Sequence, residues 1–244
     1  MDLNKVNDYI VNYYKNDTVV SNAIASGHLW GSEMKHLFQK YYRPNSNILD
    51  IGGFIGTVSL VLSEIINKDN KIYVFEPQYY DCLTQNIKDN NLGDIIIPYN
   101  YGLSNINGYI PSNNIDLNKI GNYAGQHLTT LYDKPLETCL VDKGHNTIEL
   151  KKLDDFGFNE IGLIKLDVEG FELLVLEGGV ETIKKNNYPP IFIEIWEADC
   201  WRNKDNTRDF YKKNKNDIIT FLHNLNYKIE WKNSHDYIFI HKNL

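Results

Sequence analysis

Asn47-Ile48-Leu49-Asp50-Ile51-Gly52-Gly53-Phe54-Ile55-Gly56-Thr57-Val58-Ser59-Leu60 is an apolar run that breaks on an acidic residue and then glycines before an amphipathic run begins. That order predicts a strand, a tight turn and a helix. Glycines let the backbone approach a ligand closely, and the helix start offers unpaired N–H groups to it. A second strand follows, Lys71-Ile72-Tyr73-Val74-Phe75-Glu76-Pro77, and it ends in a carboxylate. Glu76 lies 20 residues after Gly56, close to the spacing at which an acidic strand end grips a ribose.

The glycine pattern narrows the ligand. The dinucleotide fingerprint is G-x-G-x-x-G, and Gly53 and Gly56 fit its last two positions, but Ile51 occupies the first. Counted from Asp50 the pattern is D-x-G-x-x-x-G, which resembles the first motif of class I S-adenosylmethionine (SAM) methyltransferases. A turn for SAM has no pyrophosphate to cradle; it fits the methionine part and leaves room for the sulfonium.

Outward from this stretch, strands and helices alternate: strand 47–51, helix 55–66, strand 71–76, helix 78–91 and strand 94–99, then strand 161–167, helix 171–187, strand 190–196 and helix 207–225. Such alternation predicts a parallel sheet with right-handed crossovers. Two closing strands, 227–232 and 236–241, flank Asn233-Ser234-His235 and must pair antiparallel. The expected fold class is therefore α/β, Rossmann-like and seven-stranded, with an antiparallel last strand. Residues 1–43 read as a helical cap, with Trp30, Met34, Leu37, Phe38 and Tyr41 or Tyr42 at helical spacing, and Pro44 ends it. Residues 44–244 form the cofactor-binding domain. Within it, 100–150 is rich in Asn, Gly, Thr and Tyr and is expected to be an irregular or β insertion that contributes to the acceptor site.

The bulk numbers suit this layout. With 244 residues, 42% of them hydrophobic, the chain can bury a sizeable core. A net charge of -7 argues against a nucleic-acid substrate. No apolar run is long enough to span a membrane, and Met1–Asp8 lacks the layout of a signal peptide. Cys82, Cys139 and Cys200 are too few and too scattered for a disulfide framework or a zinc site, so a reducing, cytoplasmic setting is expected. Oligomeric state is not legible, which leaves a homodimer open.

A later string places the chain more closely. Leu163-Ile164-Lys165-Leu166-Asp167-Val168-Glu169-Gly170-Phe171-Glu172 is preceded by Leu153-Asp154-Asp155-Phe156 and followed by Pro189-Pro190-Ile191-Phe192-Ile193-Glu194. Together with the glycine turn, this series closely resembles the FkbM-type methyltransferases, a family of SAM-dependent O-methyltransferases. Gln85-Asn86, Asn91, Gly102-Leu103-Ser104 and Asn122-Tyr123-Ala124-Gly125 also match. The resemblance covers about residues 29–200. The family commonly has Ala-Asn where this chain has Gly53-Phe54.

Candidate site residues follow from the strand ends, because ligands of open parallel sheets bind beyond the carboxyl ends of the strands. Asp50, Glu76, Asp167 and Glu194 sit at such ends. Gly52, Gly53 and Gly56 form the cofactor turn. Glu76 is assigned to the ribose hydroxyls as a bidentate acceptor. Asp50 orders the glycine turn, accepts from the methionine amino group, or caps the helix. Asn100, Tyr101 and Ser104 lie where the adenine edge would be, or are surface-turn residues. Asp167 holds the sulfonium end or acts as general base. Glu172 enters a helix, where a carboxylate stabilises the N-terminus. Glu194 and Glu197 flank Trp196 and could orient a polyol or, with Asp167, hold a divalent cation, although no compact ligand spacing supports a metal. His127 is a further candidate base, and His28, near Trp30 and Glu33, could close over the cofactor.

These residues, with the resemblance, imply transfer of a methyl group from SAM to a hydroxyl of a small acceptor. Tyr99, Tyr101, Tyr109, Tyr123, Tyr132, Trp196 and Trp201, among amides and carboxylates, suit a sugar, glycan unit or nucleotide sugar, although tyrosines packed as core would look the same. The alternatives are an NAD-dependent sugar oxidoreductase and a SAM-binding interaction module without activity. The missing first glycine, the closing antiparallel pair and the lack of a mid-chain Y-x-x-x-K pair speak against the oxidoreductase.

Overall fold

The computed structural model describes residues 1–113, 115–125, 135–196 and 208–243. The chain opens with a hairpin, β1 (Asp2–Val6) and β2 (Tyr9–Tyr13), followed by α1 (Val20–Ala25) and α2 (Lys35–Tyr41). The expected helical start is therefore corrected over its first 13 residues. Asn7-Asp8 makes a two-residue turn, with Asn7 at φ 55°, and Val6 pairs with Tyr9 across it. Asn tolerates the left-handed region, and Asx residues are turn formers, so local turn chemistry outweighs the helical spacing seen further on.

The alternating region then runs β3 (Asn47–Ile51), α3 (Thr57–Ser63), β4 (Ile72–Phe75), α4 (Tyr80–Asp89) and β5 (Ile96–Tyr99). The insertion supplies β6 (Gly102–Leu103), β7 (Gly108–Pro111) and β8 (Thr147–Lys151), a small sheet of order β6-β8-β7. Next come β9 (Ile161–Leu166), α5 (Glu172–Glu177), α6 (Val180–Lys185), β10 (Ile191–Glu194), α7 (Arg208–Asn224), β11 (Tyr227–Lys232) and β12 (Asp236–His241). The single helix expected over 171–187 is two. At Gly178 a Cβ would come within 2.0 Å of the Ser104 carbonyl oxygen, so the insertion packs into the break at Gly178-Gly179.

The main sheet has the order β11-β12-β10-β9-β3-β4-β5. All of its pairs from β10 to β5 are parallel, and β12 runs against its neighbours. Side-chain alternation splits the core into two layers. Leu49, Ile51 and Phe75 face a layer that includes Val175, Ile218 and Leu222 from α5 and α7. Ile48 and Val74 face α3, α4 and the N-terminal hairpin through Leu60, Leu83 and Val11. The chain leaves β3 toward β4 on one side and β9 lies on the other, so the carboxyl end of β3 is the switch point where a ligand crevice opens.

Candidate functional site: the cleft at the end of β3

A cleft opens at this switch point. Its floor is Gly52, Gly53 and Phe54. Glu76 and Gln78 form one wall, Tyr101 and Leu103 another, and Asp167 and Glu169 a third. Val20, Trp30 and Ala124 come in from the N-terminal segment and the insertion.

The glycines are required by space. At Gly52, φ is 86° and a Cβ would sit 1.7 Å from the Asp167 carbonyl oxygen; at Gly53 it would sit 2.3 Å from Val74 Cγ1. Gly56, at φ 90°, caps α3 from behind the turn. It does not line the cleft. Phe54 holds φ 49°, a left-handed backbone that bulky residues rarely adopt. Its ring meets Tyr79 edge-on at 4.7 Å, and its N–H donates to Glu76 Oε2 at 2.9 Å.

Glu76 is 7% exposed and anchored by the backbone. Besides Phe54 N–H, it accepts from Gln78 N–H at 2.7 Å and Tyr79 N–H at 2.9 Å, both on Oε1. Burial raises its pKa above the ordinary carboxylate value, although the three N–H donors and Lys165 pull the other way. Oε1 takes two donors and Oε2 one, so the carboxylate retains acceptor capacity toward the cleft.

Asp50 lies under the turn, fully buried. Its Oδ2 accepts from Ser59 Oγ at 2.5 Å, and its Oδ1 is 3.4 Å from Lys165 Nζ. Asp50 thus contacts the first turns of α3 and Lys165, and reaches the glycine turn only through Lys165. Lys165 is the residue that sequence reasoning passed over. It is 4% exposed, its Nζ donates to the Gly52 carbonyl at 2.7 Å, and it lies 3.5 Å from Asp167 Oδ2. Burial pulls its pKa down, but Asp167 and Asp50 outweigh that and raise it overall, so the ammonium stays charged. The signal was in the strand register: Asp50 and Lys165 are partners across β3 and β9.

Beyond Asp167 the chain turns through Glu169, which is buried at φ 55°. The turn is fastened by Glu172, the first residue of α5, whose carboxylate accepts from Val168 N–H at 3.2 Å and from Gly170 N–H at 3.0 Å. Burial pushes the Glu172 pKa up to about 7, with Asp167 adding to the rise and those N–H groups opposing it. Asp167, Glu169 and Glu194 each present an oxygen, and the three oxygens lie within 4.8 Å of one another. Burial, then Asp167, Glu169 and Asp236, raise the Glu194 pKa well above its ordinary value.

Of the sequence candidates, Gly52, Gly53, Glu76, Tyr101 and Asp167 line the cleft, and Glu194 joins Asp167 beside it. Asn100 is exposed and Ser104 is buried with its hydroxyl 3.4 Å from Asn105 Oδ1; neither lines the cleft. His28 is exposed and pairs with Glu33 at 3.3 Å, away from the cleft wall. Tyr99 stacks on Phe75 at 4.9 Å, and Trp196 packs tilted against His235 at 4.6 Å. His127, Tyr132, Glu197, Cys200 and Trp201 lie outside the described residues.

A seven-stranded sheet with one reversed strand, and a cleft at its switch point, define a Rossmann-like class I methyltransferase fold. A model of the methyltransferase FkbM domain matches residues 50–229, so the chain belongs to the FkbM methyltransferase family and is a SAM-dependent methyltransferase. Among solved structures, it resembles the methyltransferase FkbM of Methylobacillus flagellatus at TM-score 0.51 and 15% identity, covering 84% of this chain and 49% of that one. A Staphylococcus aureus protein provisionally assigned as a caffeoyl-CoA O-methyltransferase matches at TM-score 0.55 and 12% identity, over 92% and 93% of the two chains. A Clostridium thermocellum protein provisionally assigned as an rRNA methylase matches at 0.50 and 9%, over 85% and 91%. Comparison with curated proteins gave no match. No helix among the described residues is long and apolar enough to cross a membrane.

Proposed function

We propose that the protein transfers the methyl group of SAM to a hydroxyl of a small polyhydroxylated acceptor, a sugar, glycan unit or nucleotide sugar. The observation that carries this is the convergence of Asp167, Glu169 and Glu194 within 4.8 Å at the mouth of the cofactor cleft. The cleft's own groups fit SAM. Gly52 and Gly53 let the turn that floors the cleft pack against the Asp167 carbonyl and Val74, Glu76 keeps acceptor capacity for a ribose hydroxyl, and Asp167 offers negative charge near a sulfonium.

When bound, SAM supplies an electrophilic methyl on positively charged sulfur. The chain's residues do the rest. Lys165 holds Asp167 and the Gly52 carbonyl in one frame, fixing the cofactor turn against the acidic cluster. Glu194, within 4.8 Å of Asp167 and Glu169, is placed to take the acceptor's hydroxyl proton as general base. Glu169 and Asp167 accept from neighbouring hydroxyls and orient the ring; alignment of this kind contributes several kcal/mol to such a step.

A second reading puts a divalent cation among the same three carboxylates, whose oxygens suit Mg²⁺. The test is incubation with methyl-labelled SAM and a panel of nucleotide sugars and glycans, with and without EDTA, read by product mass and linkage. The expected result is one O-methylated sugar product that survives EDTA. Loss of turnover with EDTA and its return with Mg²⁺ supports the cation instead, and label found only in non-carbohydrate acceptors contradicts the proposed class.

A further inference from the structure

Part of the cleft wall comes from outside the main sheet. Val20, at the start of α1, and Ala124, in the insertion, both line the cofactor cleft. One buried carboxylate joins the two stretches. Asp17 is 1% exposed. Its Oδ2 accepts from the Ser21 N–H at 2.7 Å, and its Oδ1 accepts from the Tyr123 N–H at 2.8 Å, 106 positions away in sequence. Each donor is the immediate neighbour of a cleft residue: Ser21 follows Val20, and Tyr123 precedes Ala124. Main-chain bonds continue the join, with Thr18 N–H donating to the Gly121 carbonyl at 2.9 Å and Gly121 N–H to the Asn16 carbonyl at 3.0 Å.

A carboxylate suits this place because it has two oxygens that only accept, so it serves two N–H groups at once; an Asn side chain has one such oxygen. The join also reaches the floor of the cleft. The Tyr123 carbonyl accepts from Tyr79 Oη at 3.1 Å, and the Tyr79 ring meets Phe54 edge-on at 4.7 Å. Because Val20 and Ala124 are not carried by the main sheet, parting of the two stretches opens one side of the cleft while the sheet stays folded. Openings of this kind gate the departure of bound ligands. Resting on the SAM assignment of the cleft, we propose that Asp17 is a positioning residue that clasps the N-terminal segment to the insertion and thereby slows the cofactor's release. Asp17 does not itself line the cleft; it acts through Val20 and Ala124.

The experiment measures the dissociation rate of labelled S-adenosylhomocysteine, chased with unlabelled ligand, from the wild-type protein, Asp17→Asn and Asp17→Ala. Thermal unfolding checks that each variant is folded at the temperature used. Asp17→Ala, which removes both acceptors, should release the ligand roughly tenfold faster, and Asp17→Asn, which keeps one, should fall between it and the wild type. A lower unfolding temperature with an unchanged dissociation rate overturns the proposal, because the carboxylate then serves the fold alone. Residue-resolved hydrogen exchange on the wild-type protein tests the same clasp without a substitution. The Ser21 and Tyr123 amides should show equal protection, and bound S-adenosylhomocysteine should raise both together. Unequal protection, or protection that the ligand leaves unchanged, overturns the clasp even if neither variant folds. Failure of the wild-type protein to bind S-adenosylhomocysteine removes the cofactor reading and the clasp together, whereas the other contrary results leave the cofactor site standing.

Discussion

At the scale of single residues, Phe54 shows two terms competing. Its left-handed backbone costs a side chain other than Gly or Asn about 1–2 kcal/mol, yet it sends the Phe54 N–H onto Glu76. The ring returns about 0.5–1.5 kcal/mol by packing edge-on against Tyr79. Phe54→Ala loses the ring and keeps the strain, whereas Phe54→Asn loses the ring but adopts the left-handed region readily. Both should destabilise the protein, with the Asn variant more stable than the Ala variant by roughly 0.5–1 kcal/mol in denaturant unfolding. The reverse order would mean that the backbone at position 54 is not strained. The preference for Asn in the related family then has a backbone reason as well as any polar contact.

At the scale of elements, the turn between β9 and α5 holds the acidic cluster, and Glu172 holds the turn. Its pKa in the folded protein is about 7, above the ordinary carboxylate value of 4.5, so the folded state binds a proton that the unfolded chain releases. Stability from this group is therefore fully present below about pH 4.5 and is lost as pH rises through about 7. The change is on the order of 3 kcal/mol over that window. Glu172→Gln should flatten this part of the stability profile, measured by urea unfolding between pH 4.5 and 7.5; an unchanged slope would assign the effect to another group. The elements themselves were largely legible. β3, β4, β9 and β10 declared themselves as apolar runs ending in polar residues, and their alternation with helices gave the parallel sheet. The break at Gly178-Gly179 was not legible, because it depends on Ser104 packing from a segment more than 70 residues away. The first hairpin was missed because aromatic spacing further on suggested helix while Asn7-Asp8 encoded a turn.

At the scale of the whole molecule, the N-terminal hairpin is tied to the cofactor turn through one buried amide. Asn86 of α4 accepts from Asn12 N–H at 2.6 Å and donates to the carbonyls of Asn12 at 3.0 Å and Ile55 at 2.7 Å. Asn86→Ala leaves these groups unpaired and should cost about 2–4 kcal/mol of stability, seen as a lower urea midpoint; a loss below about 1 kcal/mol would show that the hairpin is only loosely coupled. The site was legible where chemistry follows chain order. Glu76, Gly52, Gly53 and Asp167 reached the cleft as their strand ends predict. Lys165 was not legible, because it acts through register across β3 and β9, which is not written in spacing along the chain.

All of this rests on the cleft at the end of β3 holding SAM with Glu76 on its ribose. Calorimetric titration of the wild-type protein and Glu76→Gln with S-adenosylhomocysteine tests that most directly. The expected result is one site per chain in the wild-type protein and an affinity at least roughly tenfold weaker in Glu76→Gln, the loss of a charge-assisted acceptor. A wild-type protein that does not bind, or a variant that binds as tightly as the wild type, would contradict it.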